Sequence, residues 1–226
     1  MNSFQQMITW LNDPLNWTNP NGIMTRLLEH LRLSAAAVLL ACLVAWPIGI
    51  SLGRRGRGAG LVVLLSNATL AIPVVAPLTI LPLAGFGFGA PPVIVALALF
   101  AIPPLLATAY TGMREVDPEV RDAARGMGLS GWQLLRTVEL PLAVPYLAAG
   151  LRTAVVQVLA TAGLAALVNG GGLGMIVAAG FGLGLATGGG QVLAGGLLIA
   201  ALALLAEALL AGVQRLVTPA ALRRSA

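Results

Sequence analysis

Most of the residues whose side chains could bind a partner or take part in catalysis lie in one polar stretch, Asp117 to Pro145, between two apolar segments. The stretch reads DPEVRDAARGMGLSGWQLLRTVELPLAVP, with carboxylates and guanidiniums on either side of Gly128. Such groups form ion pairs, cap helices or recognise another protein. Disulfides and thiolate clusters are excluded, because Cys42 is the one cysteine in the sequence. The one histidine, His30, has no second ligand at helical spacing, and we interpret it as a residue of the membrane interface.

A short helix is predicted to begin at Pro118. Asp117 has the residue type of an N-cap, proline is favoured at the first helical position, and Glu119 complements the positive end of the helix. An apolar stripe follows at helical spacing, made of Val120, Ala123, Ala124 and Met127. Gly128 tolerates the left-handed conformation that ends many helices, so we expect the helix to end there.

A second short helix is predicted directly after the first. Ser130 and Gln133, three residues apart, have the pattern of a capping box. Apolar side chains continue along this helix at Trp132, Leu135 and Val138. We expect Pro141 and Pro145 to end it, because proline lacks the backbone N–H that a helix interior needs.

Two capped helices are more structure than a connection between two segments requires. They are typical of a surface that binds another protein, and equally of a helical hairpin packed on the chain's own membrane domain. Trp132 poses the same choice, since a tryptophan on an apolar helix face serves as an interface anchor or packs against span ends. For Trp132 we favour the interface.

The composition indicates what kind of segments flank this polar stretch. The chain is 58% hydrophobic and 9% charged, with a mean hydropathy of +0.91. Soluble domains are about 25% charged, so the sequence predicts an all-α membrane protein. All 13 basic residues are arginines and most flank apolar runs, so the net charge of +5 does not indicate a nucleic-acid partner. The absence of lysine excludes a P-loop ATPase in this chain.

Five stretches are apolar over the ~20 residues that a membrane-spanning helix needs. They are Leu33–Leu52, Leu61–Leu83, Pro92–Gly112, Tyr146–Val168 and Gln191–Val213. Met175–Ala186 is also apolar, but it is short and bounded by glycine triplets. We therefore predict that it is re-entrant or interfacial, which gives about five transmembrane helices.

Arginine positions predict the orientation, because basic residues concentrate on the cytoplasmic side. With five spans three clusters share one side: Arg54, Arg55 and Arg57; Arg114, Arg121, Arg125 and Arg136; Arg215, Arg223 and Arg224. We expect the N-terminus outside and the C-terminus in the cytoplasm. The chain then divides into an extracytoplasmic arm (1–30), a transmembrane domain (31–215) with a cytoplasmic loop (113–145), and a cytoplasmic tail (216–226).

One pattern in the loop resembles a known family. Its residues are Asp122-Ala123-Ala124, Gly128, Val138 and Leu140-Pro141. The spacing is similar to that of the EAA loop of ATP-binding-cassette (ABC) importer permeases, with aspartate for the usual glutamate and valine for the usual isoleucine. In that family the loop sits in a groove of the ATPase subunit. The resemblance therefore implies that these residues and Trp132 couple ATP hydrolysis to the spans.

The likeness continues through the apolar segments. It covers Ser66-Asn67 with Ala71-Ile72-Pro73, then Tyr110-Thr111-Gly112, Gly150 to Ala154, Leu164 to Leu167, and Gly170 to Gly174. These segments resemble the osmoprotectant branch, which imports glycine betaine, choline and carnitine. The resemblance implies a MetI-like ABC permease fold in the bacterial plasma membrane.

The same resemblance implies partners. They are a dimer of ATPases that binds ATP and Mg²⁺, an extracytoplasmic substrate-binding protein, and a second permease subunit, identical or a sister chain. No cofactor is expected in this chain, and membrane lipid surrounds it. A related importer for methionine or another amino acid is the alternative, since the coupling motif is shared.

Four residues inside the spans are candidates for a pathway or gate. Arg152 and Glu207 lie six to seven residues from the cytoplasmic ends of their spans, so both sit roughly 9–10 Å deep. Matched depth permits an ion pair, although long side chains also reach back to the interface. Asn67 and Pro73 polarise and bend the second span, which is typical of a segment that lines a cavity.

Other functional classes fit less well. A membrane-embedded enzyme would need convergent histidines or acids in its spans, and the sequence has none. A secondary transporter would need an intramembrane acid and inverted repeats, and no repeat is visible. A purely structural membrane protein would not need the coupling loop.

Overall fold

The computed structural model describes residues 2–218, apart from the side chains of residues 68–70. Within these residues every regular element is a helix, which confirms the all-α prediction. The helices are α1 (Ser3–Asn12), α2 (Leu15–Thr18), α3 (Ile23–Arg55), α4 (Ala59–Ala71), α5 (Val75–Leu81), α6 (Ala90–Arg114), α7 (Pro118–Gly126), α8 (Gly131–Leu134), α9 (Leu140–Thr161), α10 (Gly174–Gly182) and α11 (Leu185–Val217). Residues 219–226, most of the predicted tail, lie outside the described part.

Four segments of the described chain are long and apolar enough to cross a membrane. They are Leu15–Arg55, Ala90–Arg114, Gly131–Val168 and Leu185–Val217. The predicted second span is instead divided into α4 and α5, because Pro73 interrupts the helix between them. A wide π-helical turn, Pro82–Phe86, continues α5. The prediction of about five spans therefore corresponds to four continuous helices and one broken one.

Three of the long helices begin well before the predicted spans. Helix α3 begins at Ile23, ten residues before the expected start at Leu33, and at 33 residues it is about 50 Å long. Helix α11 begins at Leu185, not Gln191, and α9 begins at Leu140, before the predicted Tyr146. The preceding helix, α10, has nine residues, which is shorter than a membrane crossing.

Helix α6 is the central helix of the bundle and packs against α3, α4 and α9. Small residues on α3 allow the closest of these contacts. Every fourth position on one face of α3 is alanine or glycine and is buried: Ala37, Ala41, Ala45, Gly49 and Gly53. A β-carbon built on Gly49 would lie 2.7 Å from Cβ of Ala109 and 2.9 Å from the carbonyl oxygen of Leu106. Small-residue faces of this kind bring membrane helices together where no hydrophobic effect acts between them.

His30 is buried, so its interpretation as an interfacial residue is wrong. Its Nε2 is 2.9 Å from the carbonyl oxygen of Leu159, and its Nδ1 accepts the N–H of Leu173 at 3.3 Å. The neighbouring Glu29 accepts the N–H of Gly172 at 2.9 Å. Helix α3 therefore holds the glycine-rich turn before α10. Gly172 has φ +81°, and a β-carbon there would be 3.1 Å from His30, so both conformation and space favour glycine.

The N-terminal arm is helical and packs on α11. The amide of Gln6 donates to the carbonyl oxygen of Ala186 at 3.0 Å and accepts the N–H of Gly190 at 3.3 Å. Trp17 donates its indole N–H to the carbonyl oxygen of Leu11 at 2.7 Å. The polar arm thus hydrogen-bonds to the backbone of the first two turns of α11.

Pro141 and Pro145 do not end the second loop helix, so that part of the prediction is wrong. Helix α8 continues through a π-helical turn, Leu135–Glu139, directly into α9. Pro141 is the second residue of α9, and α9 directly follows the π-helical turn, where the regular α-helical hydrogen bonding is already interrupted. Pro145 lies inside α9 and is accommodated there. The second loop helix is therefore the beginning of the third continuous span.

Replacing Gly49 by leucine tests the close contact between α3 and α6. The new side chain meets the backbone of α6, so we expect the purified protein to lose about 1–3 kcal/mol of stability, as in other overpacked cores. Gly212→Leu on α11 is the matched control, because no atom lies within 4 Å of a β-carbon built there. Thermal unfolding in detergent measures both variants. Equal unfolding temperatures for the two variants would contradict the packing account.

Candidate functional site

The coupling loop, defined here as residues 113–145, is built by two capped helices, and both predicted caps are confirmed. The side chain of Asp117 accepts the N–H of Glu119 at 2.8 Å and begins α7. Ser130 and Gln133 form the reciprocal capping box at the start of α8, with contacts of 2.8 and 3.4 Å. Caps of this kind contribute about 1 kcal/mol each, which fixes where both helices begin.

Gly128 turns the chain between α7 and α8. Its φ is +86°, the left-handed conformation that the sequence predicts. The N–H of Gly128 bonds to the carbonyl oxygen of Arg125 at 2.9 Å, and the N–H of Leu129 bonds to that of Ala124 at 3.3 Å. These bonds satisfy the end of α7, so the direction of α8 depends on a residue without a β-carbon.

Three large apolar side chains of the loop are exposed at the surface of the chain. Val120, Met127 and Trp132 are 41%, 74% and 67% exposed. Of the predicted apolar stripe only Ala124 is buried, and Leu134 is the buried side chain of α8. Leu134 and Ala124 thus pack within the chain, whereas these three large apolar side chains do not. This outcome favours a surface that binds another protein over a self-packed hairpin.

The remaining residues of the EAA-like pattern lie around this surface. Asp122 is exposed and pairs with Arg125 at 3.1 Å, a surface contact that contributes little to stability. Ala123 is exposed beside it. Val138 and Leu140 are half-buried where α8 joins α9, and Pro141 is exposed there. The motif thus has an exposed acidic part and a half-buried apolar base.

Glu139 is a residue that sequence analysis missed. Its carboxylate is 2% exposed and forms ion pairs with Arg54 of α3 and Arg121 of α7. The arginines were interpreted only as markers of orientation. One signal was available, because Glu139 is the one acid between Asp122 and Glu207 and it lies at the edge of an apolar run.

Arg152 and Glu207 are paired across α9 and α11, as their matched depths predicted. Arg152 Nε is 2.8 Å from Glu207 Oε1, and Nη1 donates to Oε1 of Gln214 at 3.1 Å. Gln214, two turns after Glu207 on the same helix, was not predicted. Charges at membrane depth face protein or a cavity, and these two side chains are each about a third exposed. The pair is therefore partly exposed at the surface of the chain, between α9 and α11.

Asn67 and Pro73 lie on the broken segment. Asn67 is exposed on α4, and Pro73 lies between α4 and α5. Among the described residues no hydrogen bond or ion pair joins either of them to Arg152 or Glu207. The structure thus gathers the loop residues and the Arg152–Glu207 pair into two separate groups and leaves Asn67 and Pro73 apart from both.

Continuous apolar helices joined by a capped loop with exposed hydrophobic side chains are typical of a membrane subunit that binds another protein. Comparison with protein families agrees. Residues 33–219 match the family of binding-protein-dependent transport system inner membrane components. The chain belongs to this family, and it is a multi-pass protein of the bacterial inner membrane. Its working partners are, in general terms, an ATPase and a substrate-binding protein.

Characterised relatives are similar over nearly the whole chain. The glycine betaine/carnitine/choline transport system permease protein OpuCB of Bacillus subtilis is 35% identical over 96% of both chains. The carnitine transport permease protein OpuCD of Listeria monocytogenes is 34% identical, over 97% of this chain and 95% of that one. The choline transport system permease protein OpuBB of B. subtilis is 35% identical, over 92% and 94%. The names of all three describe permeases, not enzymes.

Solved structures support the fold. The MetNI methionine ABC transporter in its inward-facing conformation contains a chain that superposes with a TM-score of 0.75 at 22% identity. The match covers 92% of this chain and 100% of that one. At this identity the likeness shows the fold, which is the predicted MetI-like fold.

Removing one partner of the Arg152–Glu207 pair tests its role. In Arg152→Met the Glu207 carboxylate loses its counter-ion at membrane depth, so we expect a lower unfolding temperature and slower transport. The double variant Arg152→Met, Glu207→Met leaves no uncompensated charge and should recover most of the unfolding temperature. Arg215→Met, an exposed arginine on the same α11, is the control. A double variant no more stable than the single one would argue against the pair.

Proposed function

We propose that this chain is the membrane-spanning subunit of an ABC importer that carries osmoprotectants such as glycine betaine, choline or carnitine across the plasma membrane. The observation that carries the transport role is the capped loop with Val120, Met127 and Trp132 exposed. The substrate class is supported by the relatives named for glycine betaine, carnitine and choline transport, which are 34–35% identical over more than nine-tenths of their length.

The coupling loop contacts the ATPase in this proposal. Trp132 enters a groove of the ATPase, since exposed tryptophans anchor protein interfaces. Asp122 lies beside it as a charged contact at the rim. ATP and Mg²⁺ bind to the ATPase dimer, and the chain itself carries no cofactor. ATP-driven closure of the ATPases draws the two loops together and opens the spans outward, and hydrolysis reverses the motion.

A second permease subunit completes the passage in this proposal. The exposed residues of the helices support α9, not α11, as the helix that faces this passage. The exposed residues of α9 are Pro141, Tyr146, Thr153 and Ala160, and Gln157 is half-buried on the same helix. The exposed residues of α11 are mainly leucine, alanine and glycine, and the largest of them include Leu197, Leu204, Leu205, Leu209 and Leu216. Leucine faces suit lipid, whereas polar groups at membrane depth suit a cavity or another helix. We therefore assign α9 to the passage and α11 to the lipid.

Arg152 and Glu207 form part of the inner gate in this proposal. The pair joins α9 to α11, so it moves with the wall of the passage. The kink at Pro73 and the exposed amide of Asn67 supply a polar, irregular segment on α4 and α5 that lines the outer part of the pathway. The N-terminus faces the binding protein outside the cell and the C-terminus faces the cytoplasm, as the arginine clusters indicate.

Import of methionine or another amino acid is the second candidate. It is supported by the superposition on a methionine transporter, which is at the level of the fold. Aromatic faces bind quaternary ammonium groups, and the chain has 11 aromatic residues. The proposal does not place a binding cage for the substrate among them. The substrate-binding protein makes the selection.

Initial uptake by intact cells tests the proposed cargo. Cells lacking this gene, in a background without other osmoprotectant carriers, are compared with complemented cells at high osmolarity. We expect uptake of labelled glycine betaine, choline or carnitine to disappear and to return on complementation, while methionine uptake stays constant. A defect confined to methionine would contradict the osmoprotectant proposal and support the alternative.

A further inference from the structure

A buried carboxylate connects the coupling loop to the spans. Glu139 lies at the end of the π-helical turn that leads into α9, and it is 2% exposed. Arg54 Nε of α3 is 2.6 Å from its Oε2, and Arg121 Nε of α7 is 3.1 Å from its Oε1. Each oxygen thus faces a different helix. Neither contact is a well-directed hydrogen bond, so the attraction is chiefly between charges.

The two arginines also bind the backbone of further elements. Arg121 donates through Nη2 to the carbonyl oxygen of Met113, in the last turn of α6. Arg54 donates through Nη2 to the carbonyl oxygen of Gly131 at the start of α8, at 3.0 Å. The cluster therefore touches α3, α6, α7 and α8 at once. We call Glu139, Arg54 and Arg121 the ion triad.

The charges of the ion triad are compensated locally. Two guanidiniums and one carboxylate leave one positive charge in excess. Arg54 lies in the last turn of α3, and Arg121 binds the last turn of α6. The carbonyl ends of helices attract positive charge, so both arginines are placed where the helix dipoles stabilise them. A single arginine with Glu139 could not bind both helix ends.

Helix α7 has little other attachment to the spans. It packs against α8 and the π-helical turn, and within the described chain Ala124 is its one buried side chain. Its remaining apolar side chains, Val120 among them, are exposed. The orientation of α7 relative to α3 therefore depends on Arg121 and Glu139 more than on packing.

We propose that Glu139 is the positioning residue that makes the coupling loop and the loop ends of α3 and α6 move as one body. The proposal rests on the proposed function, because it concerns how a force on the loop reaches the spans. Displacing α7 pulls on Arg121, and the carboxylate passes the displacement to Arg54 and to α9. The surface that binds the ATPase is separate, so loss of Glu139 disconnects the spans without removing the ATPase.

The experiment compares Glu139→Gln with the unchanged chain in the reconstituted importer, together with its ATPase and binding protein. The amide keeps the volume but removes the charge. Arg54→Gln breaks one side of the ion triad and serves as the second variant where Glu139→Gln does not assemble. Arg55→Gln, the exposed neighbour on the same helix end, is the matched control.

Two quantities are measured. The first is substrate transported per ATP hydrolysed, which we expect to fall roughly tenfold, the scale of coupling between two sites. The second is the distance distribution between spin labels at Glu119→Cys on α7 and Arg57→Cys beyond α3, in a Cys42→Ala chain. We expect one narrow distribution in the unchanged chain and in Arg55→Gln, and a broad one in Glu139→Gln, with the ATPase still bound.

The outcomes separate the two proposals. An unchanged label distribution, or an unchanged transport ratio in a complex that transports, overturns the role of Glu139. Transport and hydrolysis that fall in equal proportion also overturn it, because that is the result of a merely structural residue. Failure of the unchanged complex to transport osmoprotectants contradicts the proposed function, and the label distances, which do not depend on cargo, then decide the role of Glu139.

Discussion

The structure depends on one constraint, which is that a charge inside an apolar bundle must be paired. Uncompensated charges are costly in an apolar bundle, and within residues 2–218 the buried Glu139 and the partly exposed Arg152 and Glu207 each contact an opposite charge. Glu139 holds two arginines at one end of the bundle, and Arg152 holds Glu207 between α9 and α11. Each pairing joins two or more helices. The few charges therefore determine how the helices are connected, while alanine and glycine determine how closely they pack.

The same constraint separates the two sides of the coupling loop. Its polar side turns inward to Glu139 and ties the loop to the spans, whereas Trp132 and Met127 turn outward and remain uncovered. In a self-contained protein Trp132 and Met127 would be expected inside, as Leu134 of the same loop is. Their exposure suits a part that is fixed to its own subunit by buried residues and by charge, and that binds another subunit by apolar contact.

Sequence patterns predicted local features well and long-range contacts poorly. The caps at Asp117 and Ser130 were predictable because they depend on residues two or three positions apart. The pairing of Arg152 with Glu207 followed from depth alone. The extent of α3 to Ile23, the burial of His30 and the role of Glu139 depend on residues of other helices, which no single-segment pattern contains. The prediction that Pro141 ends the helix was wrong because a π-helical turn just before it lets the helix continue.

The central claim is that the exposed apolar face of the loop binds the ATPase, and co-purification of the ATPase with this chain tests it most directly. Trp132→Asp is compared with Met24→Asp. Both residues are the second residue of a helix and are more than half exposed, but Met24 lies at the other end of the bundle. The account predicts that Trp132→Asp loses most of the bound ATPase and that Met24→Asp retains it. Equal retention by the two variants would contradict the account.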